Sequence, residues 1–271
     1  MAITTGDGYI AAAKQILPYT KTATVTTVSL ARYTVAQAAG NPGAVTLLGT
    51  ATPGGGVPDD SIAGYPIINA FGGSAGYLTR VAFASSIVGR MELWDKLYAV
   101  GITTSQLGTL QTLTLSTQPS YSTRVPNGTD YTGLRIFVEI TTTMSATATT
   151  INVTYTNQAG TTGRTSVATA SLSGFVAGRW VEMPLQTGDT GVQKIESVII
   201  GGATNASGAL NVIVARPLWT ARINIANGGD IHGLDKTGMP YVYANSALVL
   251  TVITDSTSSG VPDLNIEIAN G

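Results

Sequence analysis

Between Tyr131 and Ile225 the chain repeats one pattern, short runs rich in β-branched residues in which apolar and polar side chains alternate. The runs are 134–140, 151–156, 164–170, 179–183, 194–200, 210–215 and 219–225, with turn residues between nearly all of them. A period of two places Leu134, Ile136, Val138 and Ile140 on one face, and Arg135 and Glu139 on the other. Ile151, Val153 and Tyr155 oppose Asn152 and Thr154 in the same way. Half-buried strands repeating about every 12 to 18 residues predict an all-β fold, an antiparallel β-sandwich. In that register Ile136, Val138, Val212 and Val214 project into one core, while Arg135, Glu139 and Asn211 point away from it. Glu139→Gln is then expected to cost under about 1 kcal/mol.

The flanking regions are less regular. Asp7-Gly-Tyr-Ile-Ala-Ala-Ala-Lys-Gln-Ile-Leu17 reads as a helix capped by Asp7, favoured by three alanines and stopped by Pro18. Its apolar stripe, Ile10, Ala13, Ile16 and Leu17, packs on the chain's own sandwich or serves as an arm to a neighbouring subunit. Residues 22–33 read as one or two strands. From Gly40 to Gly76 the chain is rich in Gly and Pro, yet it carries Tyr65, Ile67, Ile68 and Phe71. Such a long loop is functional or ordered by a partner. Strands are expected again at 77–83, 87–94 and 109–115, with a helix over 87–98 as the competing reading and Asp95-Lys96 as a turn. A second irregular segment spans 226–240, and 264–268 closes a sheet. The expected organisation is an N-terminal helix or arm over 1–20 and one large sandwich over 21–271. Its strands fall within 21–36, 77–115, 131–225 and 241–268, and 40–76 is an inserted loop region.

Few chemistries fit this composition. Charged residues make up 11% of the chain, the net charge is −1 and no basic cluster stands out, so nucleic acid is not an expected partner. No apolar run is long enough for a membrane-spanning helix, and the first residues lack the basic start and apolar core of a signal peptide. With no cysteine and one histidine, His232, clusters of His or Cys cannot bind a metal. No cofactor is expected. His232 lies in a glycine-rich loop without a nucleophile elbow. Asp59 with Asp60, or Asp230 with Asp235, could offer oxygens to Ca²⁺, but neither has the spacing of an EF-hand and turn formation is the simpler explanation. Glu92 with Asp95 and Glu182 with Asp189 are arbitrary acid pairs for glycoside hydrolysis. Gly72-Gly-Ser-Ala-Gly76 matches a phosphate loop in composition alone. The indoles of Trp94, Trp180 and Trp219 fit a core or subunit interface, or a sugar platform. The sequence therefore reads as a non-enzyme. Tyr65, Ile67, Ile68, Phe71, Ile10 and Trp94 are its candidate interface residues.

Several short motifs are distinctive: the opening Met1-Ala-Ile-Thr-Thr with Asp7-Gly and Ile10-Ala-Ala-Ala-Lys14, Leu93-Trp-Asp-Lys-Leu97, Tyr155-Thr-Asn-Gln with Gly160 and Gly163-Arg164, Arg216-Pro-Leu-Trp219, and Asp255-Ser-Thr-Ser-Ser-Gly260. They resemble virion structural proteins of tailed bacteriophages, a resemblance that covers most of the chain and implies a jelly-roll-like form of the sandwich. The resemblance implies a capsid decoration (cement) or minor capsid protein, or else a tail, neck or fibre component that recognises glycans. It also implies a virion location after synthesis in the host cytoplasm. The implied partners are the major capsid protein or other virion proteins, and a homo-oligomer, favoured as a trimer.

Overall fold

The computed structural model describes residues 3, 5–45, 47, 54–69, 71, 76–147 and 149–270. Helix α1 (Gly6–Ala11) leads into strands β1 (Ala13–Lys21), β2 (Arg32–Thr34), β3 (Gly40–Asn41), β4 (Gly76–Ser85) and β5 (Gly89–Ile102). After the four-residue helix α2 (Thr104–Leu107) come β6 (Gln111–Thr114), β7 (Arg135–Thr142), β8 (Ile151–Asn157), β9 (Arg164–Thr165), β10 (Arg179–Met183), β11 (Val192–Ile200) and β12 (Ala209–Ile223). The chain continues through β13 (Gly228–His232), α3 (Leu234–Thr237), β14 (Tyr241–Val242), β15 (Leu248–Thr254) and β16 (Pro262–Asn270). The fold is all-β with antiparallel pairing, as the alternation predicts. Strands β10, β2, β15, β5, β12 and β7 form a closed barrel beside two open sheets.

Two compact units share the chain. The first comprises Met1–Thr46, Asp59–Asp95 and Pro217–Gly271, and the second Leu47–Pro58 and Lys96–Arg216. In the first unit the open sheet has the order β13-β4-β16-β1-β3, with β14 also on β4. β16 lies between β4 and β1, in register from Ala13 opposite Asn270 to Thr20 opposite Asp263. Leu17, Tyr19, Leu78, Val81, Phe83, Leu264, Ile266 and Ile268 from this sheet share a core with Met91, Leu93, Leu248, Leu250 and Val252 of β5 and β15. In the second unit β10-β7-β12 and the sheet β6-β11-β8-β9 bury a common cluster. Ile136, Val138, Val212 and Val214 sit in it, with Val212 opposite Val138 and Val214 opposite Ile136. That part of the expected register holds.

Several expectations need correction. The helix ends at Ala11, and Ala13–Lys21 is a strand despite the alanines that lead into it and its Pro18, because pairing with β16 outweighs local helix propensity. The apolar stripe is accordingly broken up. Ile10 and Ile16 are 74% and 58% exposed, whereas Leu17 is buried. Residues 22–33 yield only the start of β2 and an isolated bridge from Thr26 to Ser258. There the hydroxyls bond to backbone instead, as in Thr27 Oγ1 to the Ser256 carbonyl at 2.9 Å.

The region 87–98 is strand, not helix, and Asp95 and Lys96 lie buried within β5 instead of turning the chain. Runs 210–215 and 219–225 are largely one strand, β12, passing straight through Pro217. Run 164–170 gives only two strand residues. Beyond them side chains complete the ladder, with Val153 N–H bonded to Ser166 Oγ at 3.0 Å and Ile151 N–H to Thr169 Oγ1 at 2.8 Å.

The polar face of β7 departs furthest from the alternation. Arg135 is exposed as expected, but Glu139 and Asn211 are fully buried, in company with Phe137 and Ile213. The strand is covered on both faces.

Candidate functional site

Of the expected interface residues of the 40–76 region, Tyr65 and Ile67 line one cleft in the first unit. β1 supplies Leu17 and Pro18 to its wall, the turn after β3 supplies Asn41, Pro42 and Gly43, and the segment 60–67 supplies Tyr65 and Ile67. Its volume is about 420 Å³, within the range of pockets that accept a compact apolar group. Polar anchors fix both walls. Gln15 on β1 donates to the Ile67 carbonyl at 3.0 Å and accepts from Asn69 N–H at 2.9 Å, imitating a strand pairing. Asp60 accepts from Ile68 N–H at 2.8 Å.

Lys21 secures the opposite wall. Fully buried, it donates to the carbonyls of Pro42 at 2.8 Å and Ala38 at 3.2 Å, and burial pushes its amine down to about 8. Tyr65, Ile68 and Phe71 are buried within the chain, while Ile67 is 71% exposed at the cleft and Ile10 stands exposed on α1. Trp94 is buried. Its indole N–H bonds to Thr251 Oγ1 at 2.9 Å, and the Arg32 guanidinium lies 5.6 Å from its ring centre. The glycine-rich stretch 72–75, the phosphate-loop candidate, lies outside the described residues.

The acids picked out from the sequence act as structural anchors. Arg32 Nε meets Glu92 Oε2 at 2.6 Å, and Ser246 Oγ donates to the buried Asp95 at 2.8 Å. Glu182 faces Arg135 at 3.2 Å with both side chains well exposed. Asp59 accepts from Ser61 N–H at 3.0 Å, an ordinary turn contact. Asp230 accepts from Ile231 N–H at 2.7 Å and from Lys236 at 3.4 Å. A cluster invisible in the sequence reading lies in the second unit. Glu139 receives Lys96 Nζ at 2.6 Å and Asn211 Nδ2 at 2.8 Å on one oxygen, and the Trp180 indole N–H at 3.0 Å on the other. These donors leave the carboxylate bonded on both oxygens, an arrangement suited to holding strands and not to proton transfer.

The Tyr155–Arg164 motif also has a structural explanation. Asp189 accepts from Tyr155 O–H at 2.7 Å, Arg164 Nε at 2.8 Å and Asn157 Nδ2 at 2.8 Å, which ties the hairpin between β8 and β9 to the 184–191 loop. The Arg164 bond, helped by Tyr155 and Asn157, holds the Asp189 carboxyl down at about 2. Burial and that carboxylate push the Tyr155 phenol up to about 12. A carboxyl lowered in the folded state stabilises above its unfolded value near 4, and this contribution fades as pH falls toward 2. Asp189→Asn is expected to cost about 1–3 kcal/mol at neutral pH. It should also speed amide exchange in 184–191 and remove that loop's acid sensitivity below about pH 4. Unchanged exchange in the loop would show that the carboxylate is not its anchor.

None of the three tryptophans forms an open sugar platform, since each is 6% exposed or less. Partly exposed rings occur elsewhere, in a row formed by Tyr77, Tyr241 and Tyr243. Tyr77 and Tyr241 lie 5.0 Å apart, and Tyr241 and Tyr243 stack at 6.4 Å. The doublet Tyr241-Val-Tyr243 was its only sequence signal.

No protein-family model matches the chain, and no curated protein does so. A solved structure described as "Structure of infectious bursal disease virus Gt strain" is 12% identical to it. That alignment covers 94% of this chain and 81% of that one, with a TM-score of 0.17, and so slight a likeness carries no argument.

Proposed function

We propose that this chain is a structural protein of a tailed-bacteriophage particle, a capsid decoration protein with a jelly-roll-like sandwich, acting as a homotrimer on the major capsid protein. The observation that carries this reading is the cleft of the first unit. Ile67 protrudes from its rim and Ile16 follows on β1 next to the lining residue Leu17, both more than half exposed. Exposed aliphatic side chains beside an apolar cleft suit docking on another protein. A chain with 11% charged residues and a net charge of −1 brings little electrostatic repulsion to such contacts. Function then follows from mass action: a protein that binds only the assembled lattice stabilises it against disruption, with no reaction to catalyse.

Localisation of the tagged protein on purified particles tests the reading, with binding to heads expected. Ile67→Asp is expected to weaken attachment at least about tenfold, while leaving the melting temperature of the isolated protein within a few degrees. Undiminished attachment of that variant, or protein absent from particles, would overturn the proposed docking surface.

The Tyr77, Tyr241 and Tyr243 row favours a second reading, a tail or fibre component that stacks these rings on host glycans. Under it the tagged protein labels tails, and Tyr241→Ala abolishes binding to host surface glycans while Ile67→Asp does not.

A further inference from the structure

The single histidine occupies a built site in the first unit. His232, at the end of β13, is flanked by Phe83 of β4 and Trp219 of β12. The Phe83 and His232 rings meet edge to face at 4.9 Å, Phe83 and Trp219 at 4.9 Å, and Trp219 and His232 at 5.6 Å. Within this trio the Trp219 indole N–H donates to His232 Nδ1 at 3.0 Å. An indole nitrogen can only donate, so Nδ1 must be the bare, accepting nitrogen and the neutral ring must carry its proton on Nε2. A second proton can enter only at Nδ1. There it would face the indole N–H, two donors at hydrogen-bond distance, and the bond would be lost.

β13 is the edge strand of its sheet and hangs on β4 by five residue pairs, Gly228 opposite Ser85 to His232 opposite Val81. α3 follows directly. Phe83 and Trp219 beneath are only 5% and 6% exposed, whereas Ile231 on the strand is 52% exposed. We propose that β13 and α3 form an acid-sensitive strap. The Trp219–His232 bond latches it over the Phe83–Trp219 pair, and protonation of His232 opens the latch and uncovers the two aromatic rings.

The charges facing the imidazole come from two elements. Asp230 on β13 lies 3.9 Å from Nε2 and is itself paired with Lys236, and α3 adds Lys236 and Asp235. β4 and β12 present Phe83 and Trp219, which carry no charge. Burial, followed by Lys236, moves the histidine below its usual value, with Asp230 and Asp235 opposing. A base lowered in the folded state stabilises above its unfolded value, near 6.5, and loses that contribution as pH falls through its folded value. The latch is therefore closed at neutral pH and opens in mild acid.

Nuclear magnetic resonance of the intact protein between about pH 7.5 and 4.5 tests this directly. At neutral pH the imidazole nitrogens should report the Nε2–H tautomer. As His232 titrates, the Trp219 indole N–H signal should move with the same midpoint, and amide exchange over 228–237 should rise about tenfold over His232→Gln at the same pH. Glutamine retains an acceptor for the indole but does not titrate, so that variant should stay flat. An Nδ1–H tautomer at neutral pH would overturn the proposal, even if the variant failed to fold. So would an indole signal indifferent to the titration, or the same transition in His232→Gln.

Discussion

Replacing Glu139 with glutamine is expected to destabilise the protein by about 3–5 kcal/mol, although the alternation of β7 alone predicts almost no effect. The carboxylate is fully buried and takes three donors, from Lys96, Asn211 and Trp180. Glutamine keeps one acceptor oxygen and puts an amide, a donor, where the other oxygen met a donor. The Lys96 ammonium, 3% exposed, also loses the carboxylate it is bonded to at 2.6 Å. Breaking one side of a buried ion pair costs far more than the pair contributes. Urea unfolding measures the loss, and a fall in Tm of roughly 6–15 °C should accompany it. Adding Lys96→Met should recover part of it by removing the buried positive charge. Glu182→Gln is the control, since its pair with Arg135 is exposed and should contribute under about 1 kcal/mol. If Glu139→Gln unfolds at the same urea concentration as the parent, the cluster does not hold the strands.

Val138→Asp should abolish folding. Val138 is fully buried, opposite Val212 on β12 and Val181 on β10, in the cluster shared by the two sheets of the second unit. An aspartate there either stays ionised without partners or is neutralised by a large pKa shift. Either way the cost is several kcal/mol, against a net stability of about 5–15. Val138→Ala removes only methyl groups and should leave a folded protein weakened by about 2 kcal/mol. Circular dichroism and gel filtration distinguish the two outcomes. A folded, monodisperse Asp variant would mean that this face of β7 does not lie in a core.

The apolar face of β7 was legible because a period of two is a direct consequence of strand geometry. Its polar face was misread for an equally physical reason. Arg135, Glu139 and Asn211 look alike to a pattern that scores polarity, yet only Arg135 reaches water. The pattern cannot tell a polar group solvated by water from one solvated by other side chains. Phe137 and Ile213, at alternating positions with Glu139 and Asn211, were the available hint that both faces are covered. The motif Leu93-Trp-Asp-Lys-Leu97 was visible but not its role, which depends on Ser246 and Glu139, far away in sequence. The N-terminal alanines misled in the opposite direction. They favour helix locally, and pairing with the distant β16, joined by β3 at its end, makes Ala13–Lys21 a strand. The His232 site depends in the same way on Phe83 and Trp219, which no spacing rule links to it.

The position of β16 between β4 and β1 imposes an order on synthesis. As the chain leaves the ribosome, β1 and β4 emerge early, and the strand that joins them is translated long afterwards. Nearly all of the second unit, by contrast, lies within 96–216 and is complete before β16 exists. The second unit can therefore fold first, while Leu17, Tyr19, Leu78 and Val81 wait unsheltered in a nascent chain with few charges to keep it apart from its neighbours. The hazardous interval for this protein falls during translation, and it ends only when β16 closes the sheet.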